Sequence, residues 1–307
     1  MALAILIASF NSIQARVNGE LGYRMGDGFG AALISISSGL LLIVTALAFS
    51  PVGRAGLRKV PEALRDKRLR WWHLLGGVSG AYYAVAQTAT GLLLGVALFS
   101  IAIVSGQTLS SLIMDRLGVG PSGAHKITWP RMLGTALVLF AVVLSVSGQL
   151  DAEAPIWMAW MPFLAGFGMG WQLAVNGRVR AQSQSVLAAT FINFFTAAVL
   201  LTSIVVVRGF TVGWPENIPT EPWLFTGGIL GSLFIAGSAL VVARIGVLVL
   251  GVSVVAGQLL GALLIDLVSP SPLHPLTFET LLGVAIALVA VAISTLDPKL
   301  FSRKEKN

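Results

Sequence analysis

Ten stretches of mainly apolar residues, each about twenty long, run through this chain, and that is the length a helix needs to cross the roughly 30 Å hydrocarbon core of a bilayer. They cover roughly 2–21, 28–50, 71–92, 95–114, 131–150, 156–176, 186–207, 223–243, 246–265 and 277–295. Backbone N–H and C=O groups find no water in that core, so each stretch must satisfy them internally, as a helix does. A soluble domain of 307 residues with 56% hydrophobic and 11% charged residues would lack the polar surface it needs. The expected fold class is an all-α integral membrane protein with ten transmembrane helices.

Charge placement orients the chain and narrows its partners. The net charge of +7 could suggest a nucleic-acid partner, but the cations are not spread over a binding face. They cluster in VGRAGLRKVPEALRDKRLR, between the second and third stretches, and in the tail KLFSRKEKN. With both termini cytoplasmic, 17 of the 20 Lys and Arg fall inside, and only Arg16, Arg24 and Arg208 fall outside. That is the positive-inside rule, so no nucleic-acid partner is expected and both termini are placed on the cytoplasmic side. The acidic turn DAEAP (151–155) falls on the outer side. Trp71, Trp72, Trp129, Trp157, Trp160, Trp214 and Trp223 sit near the ends of stretches, as an interfacial belt requires, while Trp171 lies deep in the sixth. SIQA resembles a signal-cleavage site, but it lacks a basic leader and has an internal counterpart, so the first helix is read as retained.

The chain repeats itself. QARVNG (14–19) matches QLAVNG (172–177) at an offset of 158, and LGGVSG (75–80) matches TGGILG (226–231) at 151. GVALFSIAIVSGQTLSSLIMD (95–115) matches GVLVLGVSVVAGQLLGALLID (246–266), also at 151. This predicts a five-helix repeat over 1–150, a second over 151–298, and a basic cytoplasmic tail at 299–307. Five is odd, so the halves enter the membrane with opposite orientation, an arrangement typical of secondary transporters. A chain holding both halves is sufficient as a monomer, with a dimer left open.

Polar side chains recur at equivalent depths. Asn11, Gln14 and Asn18 share one face of the first helix, and Gln172 and Asn176 repeat it in the sixth. Gln107 and Gln258 match in the fourth and ninth, while Ser35 and Asn193 match in the second and seventh. Ser100, Gln107 and Ser111 share a face, as do Tyr83, Gln87 and Thr90. An unpaired amide in hydrocarbon costs several kcal/mol, so these groups must face protein or water. Two readings follow, interhelical glue or the lining of a midplane site. Recurrence by pseudosymmetry favours the lining, with Asn11, Gln14, Asn18, Tyr83, Gln87, Gln107, Trp171, Gln172, Asn176 and Gln258 as substrate-binding candidates. Trp171 is either packing filler or an aromatic wall of that site. The carboxylates Glu20, Asp115 and Asp266 lie at helix ends, with Arg16 placed to pair with Glu20. For the two aspartates, plain solvation at a helix end competes with ion coupling.

Other signals point away from catalysis. GVGPSG (118–123) fits a dinucleotide-loop pattern, but it ends a membrane helix and reads as a flexible cytoplasmic turn. His73, His125 and His274 have no metal-ligand spacing, and the absence of cysteine removes thiolate chemistry. No nucleophile and base pair up within the bilayer. No metal, cofactor or enzyme activity is expected.

Two antiparallel five-helix units resemble the drug/metabolite transporter superfamily. SIQARVNGEL followed by GAALISISSGLLL is similar to that superfamily's YdcZ-like inner-membrane proteins, usually single five-helix units, of which this chain resembles two in tandem. The resemblance implies a cavity surrounded by the first four helices of each half, with the fifth and tenth peripheral, and export as the direction. Small multidrug exporters of the superfamily carry a first-helix glutamate for proton antiport. Here the stripe is Gln and Asn, which cannot titrate. The expected function is a secondary transporter, an exporter of a small polar or amphiphilic molecule, working by alternating access within membrane lipids. Proton or ion coupling would fall to Glu20, or to Asp115 with Asp266. A non-transporting assembly or sensory protein, with the stripe as glue, competes with this reading. A lipid-intermediate translocase is a third, and it would need a lateral opening.

Overall fold

The computed structural model describes residues 2–147, 156–215, 217–268 and 277–296. The DAEAP turn, His274 and the basic tail lie outside the described residues, as does the side chain of Asp266. Among the described residues nine α-helical segments carry the fold: α1 (Ala2–Met25), α2 (Gly28–Phe49), α3 (Pro51–Arg65), α4 (Gly76–Leu117), α5 (Trp129–Val146), α6 (Trp160–Ser183), α7 (Val186–Thr211), α8 (Gly227–Val268) and α9 (Phe278–Ser294). Their starts follow sequence chemistry. The Asp27 side chain accepts from Phe29 N, Ser50 from Gly53 N, Ser185 from Ala188 N and Thr277 from Thr280 N, each meeting a backbone donor the first turn leaves orphaned.

Two of these segments double back. Helical backbone runs without interruption from Gly76 to Leu117, yet the rings of Tyr83 and Phe99 meet edge to face at 6.1 Å. Sixteen residues of straight helix would hold them about 24 Å apart. In α8 the break is explicit at Gly246, with φ 81° and ψ 170°. Gly237 and Gly257, on either side of it, both abut α1, at Ile7 and at Ala8. Among the described residues four stretches are long and apolar enough to cross a membrane: Gly28–Phe49, Leu98–Leu117, Val186–Thr211 and Pro222–Ile265. Neither α1 nor α6 is among them, because their Gln and Asn residues dilute the apolar runs.

The close contacts of one half recur in the other at the offsets read from the sequence. A Cβ added at Gly106 would overlap the carbonyl oxygen of Phe163, and one added at Gly257 that of Ile5. The first residues of the two pairs are 151 apart and the second residues 158 apart. Gly77 abuts Asn193 O and Ala197 N, and Gly228 likewise abuts Ser35 O and Gly39 N. A third correspondence ties α5 to α9, where Gly134 faces Ser294 and Ala290, and Gly283 faces Ser145 and Ala141. In each pair small residues let two backbones approach closely, which is how helices associate where lipid is as apolar as they are.

One element was not expected. α3 is a 15-residue amphipathic helix where the sequence predicts only a basic loop. Its buried face (Gly53, Gly56, Val60 and Ala63) packs on the ends of α6 and α7, leaving its cations exposed. Pro51 sits in its first turn, where the missing N–H costs nothing.

Candidate functional site: two amide stripes and a buried aspartate

Gln172 and Asn176 lie on consecutive turns of α6, and Asn193 faces them from α7. Gln172 Nε2 donates to Asn193 Oδ1 at 3.4 Å, and Asn193 Nδ2 donates to Asn176 Oδ1 at 3.2 Å. All three are buried, and Gly76 lies so close that a Cβ there would stand 2.5 Å from Asn176 Oδ1. Every residue from Gln172 to Gly177 is buried, and Gly177 meets Val242 and Pro121. The second-half stripe is sealed.

The equivalent stripe on α1 is not. Of residues 14–19 only Val17 is buried, and Gly19 has open space where Gly177 has two neighbours. Ser35 stands at the place of Asn193. Gln14 lies over Gly231, whereas Gln172 turns to Asn193 and leaves the equivalent Gly80 uncontacted. Asn18 Oδ1 is enclosed without a hydrogen-bond partner, and no hydrogen bond to Gln14 occurs among the described residues.

The matched glutamines diverge in the same way. Gln258 is half-buried, with its backbone carbonyl accepting from Ser12 Oγ at 2.7 Å. Gln107 is 1% exposed, and neither atom of its amide has a partner; the hydroxyls of Ser110 and Ser111 nearby are likewise unpaired. Asn11 is half-buried on the same side of α1 as Gln14. Trp171 stacks on Trp72 at 6.5 Å, and Trp72 stacks on His73 at 3.8 Å. Tyr83 belongs to an apolar cluster with Phe99, Ala86 and Ala165, and Gln87 is exposed, so these two stand apart from the amide groups.

Asp115 is not solvated at its helix end: it is 2% exposed. Its Oδ2 accepts from Arg131 Nη1 at 2.8 Å, and its Oδ1 accepts from the backbone N of Val247 at 2.7 Å. His125 Nδ1 stands 3.7 Å from Oδ1. Val247 follows the break at Gly246, so the carboxylate caps the first turn of the second arm of α8, where a negative charge meets free N–H groups and the helix dipole. The left-handed φ of Gly246 suits glycine and lets Asp115 approach. The 118–123 turn is not loose either. Gly120 is buried against Val247, and Pro121 closes on Gly177. Neither Arg131 nor Gly246 was singled out from sequence, although Gly246 stands in the repeat opposite Gly95.

At the other end of the molecule Glu20 pairs with Arg24 at 2.7 Å. Arg24 also pairs with Glu221 and lies over the Trp223 ring at 5.7 Å, while Arg208 lies 4.4 Å over Phe29. Two open clefts, of about 420 and 290 Å³, flank these arginines. Among the described residues no group of three His, Cys, Asp or Glu could hold a metal ion.

Apolar helices long enough to cross a bilayer define a multi-pass membrane protein. The family described as "Putative inner membrane exporter, YdcZ" matches this chain twice, over residues 1–144 and 157–293. The chain belongs to that family, as two of its units in tandem within the drug/metabolite transporter superfamily, and it is an inner-membrane protein of a transporter rather than an enzyme family. Among solved structures, one described only as "Crystal structure of protein" is 16% identical, with 95% of this chain and 94% of that chain covered at a TM-score of 0.70. At that identity the likeness speaks for the fold alone. No curated protein matches the chain.

Proposed function

We propose that the chain is a secondary transporter, exporting a small polar or amphiphilic molecule by alternating access around a midplane site. Ten crossings in two inverted repeats supply the frame: α1, α2, both arms of α4, α5, α6, α7, both arms of α8, and α9, with both termini inside. The recurrence of helix contacts at offsets of 151 and 158 supports it. In such a frame residues 172–177 lie in the inner half of the membrane and residues 14–19 in the outer half.

The observation that carries the reading is the unequal state of these two stripes. Two matched stripes of an inverted pair stand in unequal environments when the molecule rests in one of two exchangeable states, with the facing pair Asn193 and Ser35 biasing which one is closed. Here the inner stripe is closed, residues 246–257 are all buried, and Asp115 latches α4 to α8. The outer stripe is open, so the conformation is outward-facing. Gln14, Asn18, Asn11 and Gln258 offer the substrate neutral donors and acceptors. Gln107 and Ser111, now unpaired, are the inner contacts it would meet after the exchange. Asp115, tied to Arg131, serves as latch, which leaves Glu20 and Asp266 as carriers for any coupled ion.

The test is charge movement on a solid-supported membrane bearing the reconstituted protein, challenged with metabolites and cationic drugs with and without a pH gradient. Tracer exchange covers electroneutral cycles. A Gln14→Ala/Gln172→Ala variant of verified thermal stability should lose the response that one compound evokes. If wild type moves no compound and the variant simply melts earlier, the stripes are interhelical glue and the reading is wrong.

A further inference from the structure

The first half carries an element that the second lacks. Between α2 and α4 lies α3, whereas the corresponding stretch between α7 and α8 forms no such helix among the described residues. The segment 51–70 holds seven Lys and Arg against Glu62 and Asp66, a net charge of +5. On its buried side Gly53 meets Leu187, and Gly56 fits so tightly against Ser185 that a Cβ there would overlap it. This fixes which face looks outward.

That face is cationic and largely uncommitted. Arg54 is occupied in capping α2, its Nη1 donating to the carbonyls of Leu47 and Ala48. Lys59 Nζ donates to Gln184 Oε1, and Arg68 pairs with Asp66 at 2.8 Å. Arg58, Arg65 and Lys67 are exposed, with no acidic partner among the described residues. Arg178 and Arg180, on the last turns of α6, have enclosed Nε atoms with no acceptor. Beside this cationic surface Phe49, Val52 and Trp71 are 84%, 69% and 70% exposed, an apolar flank at the level where α2 leaves the membrane.

We propose that the outward face of α3, with Arg58 and Arg65, together with Lys67 in the turn just past its end, binds the anionic phosphate headgroups of inner-leaflet lipids. It rests on the reading that places α3 at the inner surface, though not on transport itself. A helix with cations on one face and apolar groups at its flank lies in the interfacial plane, and the negative surface potential of anionic lipids attracts it. Guanidinium groups without carboxylate partners match phosphate geometry. Because α3 is docked on the ends of α6 and α7, a bound headgroup holds the inner end closed and ties that closure to lipid composition.

The test uses the purified full chain in neutral detergent, titrated with phosphatidylglycerol or with phosphatidylcholine of the same acyl chains. Native mass spectrometry counts the lipids retained. Wild type should keep phosphatidylglycerol in clear excess, and retention should fall as ionic strength rises. Arg58→Gln/Arg65→Gln/Lys67→Gln should bind it more weakly by about fivefold per cation removed. An Arg116→Gln/Lys126→Gln variant, at the same end but outside α3, should match wild type. All three proteins should melt alike without added lipid, which separates lost binding from lost fold. Equal retention of the two lipids, or undiminished phosphatidylglycerol retention by the triple variant, would overturn the proposal. Lipid retention without any transport activity would leave it standing and count against the transporter reading alone.

Discussion

Residues 14–19 and 172–177 are nearly the same sequence in two different conditions. QLAVNG is buried at every position and its amides are joined through Asn193; QARVNG is buried at one position and Asn18 Oδ1 has no partner. The stripes alone do not account for the difference. What differs is the residue across the helix boundary, where Asn193 reaches Gln172 and Asn176 with the two arms of its amide while Ser35 ends one bond shorter in a single hydroxyl and makes no such bridge from Asn18 to Gln14. Two matched family units supply two copies of a polar stripe, and the facing residue biases which copy is stitched shut.

The comparison breaks most completely at Asp115. Asp115→Ala leaves Arg131 unpaired and Val247 N–H without an acceptor in a buried place, a loss of about 3–5 kcal/mol. Asp115→Asn keeps an acceptor for Val247 and should lose less. Thermal melting in detergent ranks the two, and equal melting of both variants and wild type would remove Asp115 as the latch. Next come the glycine contacts. Gly106→Val and Gly257→Val each push a side chain into a facing backbone, and overpacking of this kind costs roughly 1–3 kcal/mol. Similar losses in both variants mark a frame equivalent in the two halves. A large loss in one alone would deny that equivalence.

The sealed stripe can be opened on purpose. Asn193→Ser gives the second half the residue of the first, removing hydrogen bonds at 3.4 and 3.2 Å. Hydrogen bonds between membrane helices average about 0.6 kcal/mol, so the expected loss is about 1–2 kcal/mol once the stranded amides are included. Solvent labelling of a cysteine placed at Gly177 should rise in this variant, since the chain has no cysteine of its own to interfere. Labelling that stays at the wild-type level would mean the relay does not hold the second-half stripe shut.

Much of this was legible in the sequence, and the failures have physical causes. The helices, the repeated units and the amide stripes follow from spacing, because a bilayer forces apolar length and matched units keep their polar residues at matching offsets. Ser35 and Asn193 could be matched from the offset. The consequence of exchanging them could not, since it depends on whether a side chain one bond longer meets partners on the facing helix. Asp115 looked solvated because it ends an apolar run; Arg131 and Val247 reach it from 16 and 132 residues away, and no local pattern announces that. The cations of α3 were read for orientation, and its helical period (Gly53, Gly56, Val60, Ala63) was hidden by glycine, alanine and charge in place of a conventional apolar stripe.

The smallest effect is the most discriminating. Ser35→Asn gives the open half the residue of the closed one, in a place 3% exposed and beside Gly227, the counterpart of the Gly76 that accommodates Asn193. The added amide can donate to Asn18 Oδ1, which now has no donor. A gain of only about 0.6 kcal/mol is expected, and a rise in melting temperature of a degree or two would be hard to interpret alone. The population shift it implies is easier to read. If the two states lie near balance, that energy changes their ratio about threefold, so flux should fall while Gly19, probed through an introduced cysteine, becomes less accessible. Higher stability with unchanged accessibility would show that the amide is merely better satisfied. Lower accessibility with slower flux would make closure of the first-half stripe a step of the cycle.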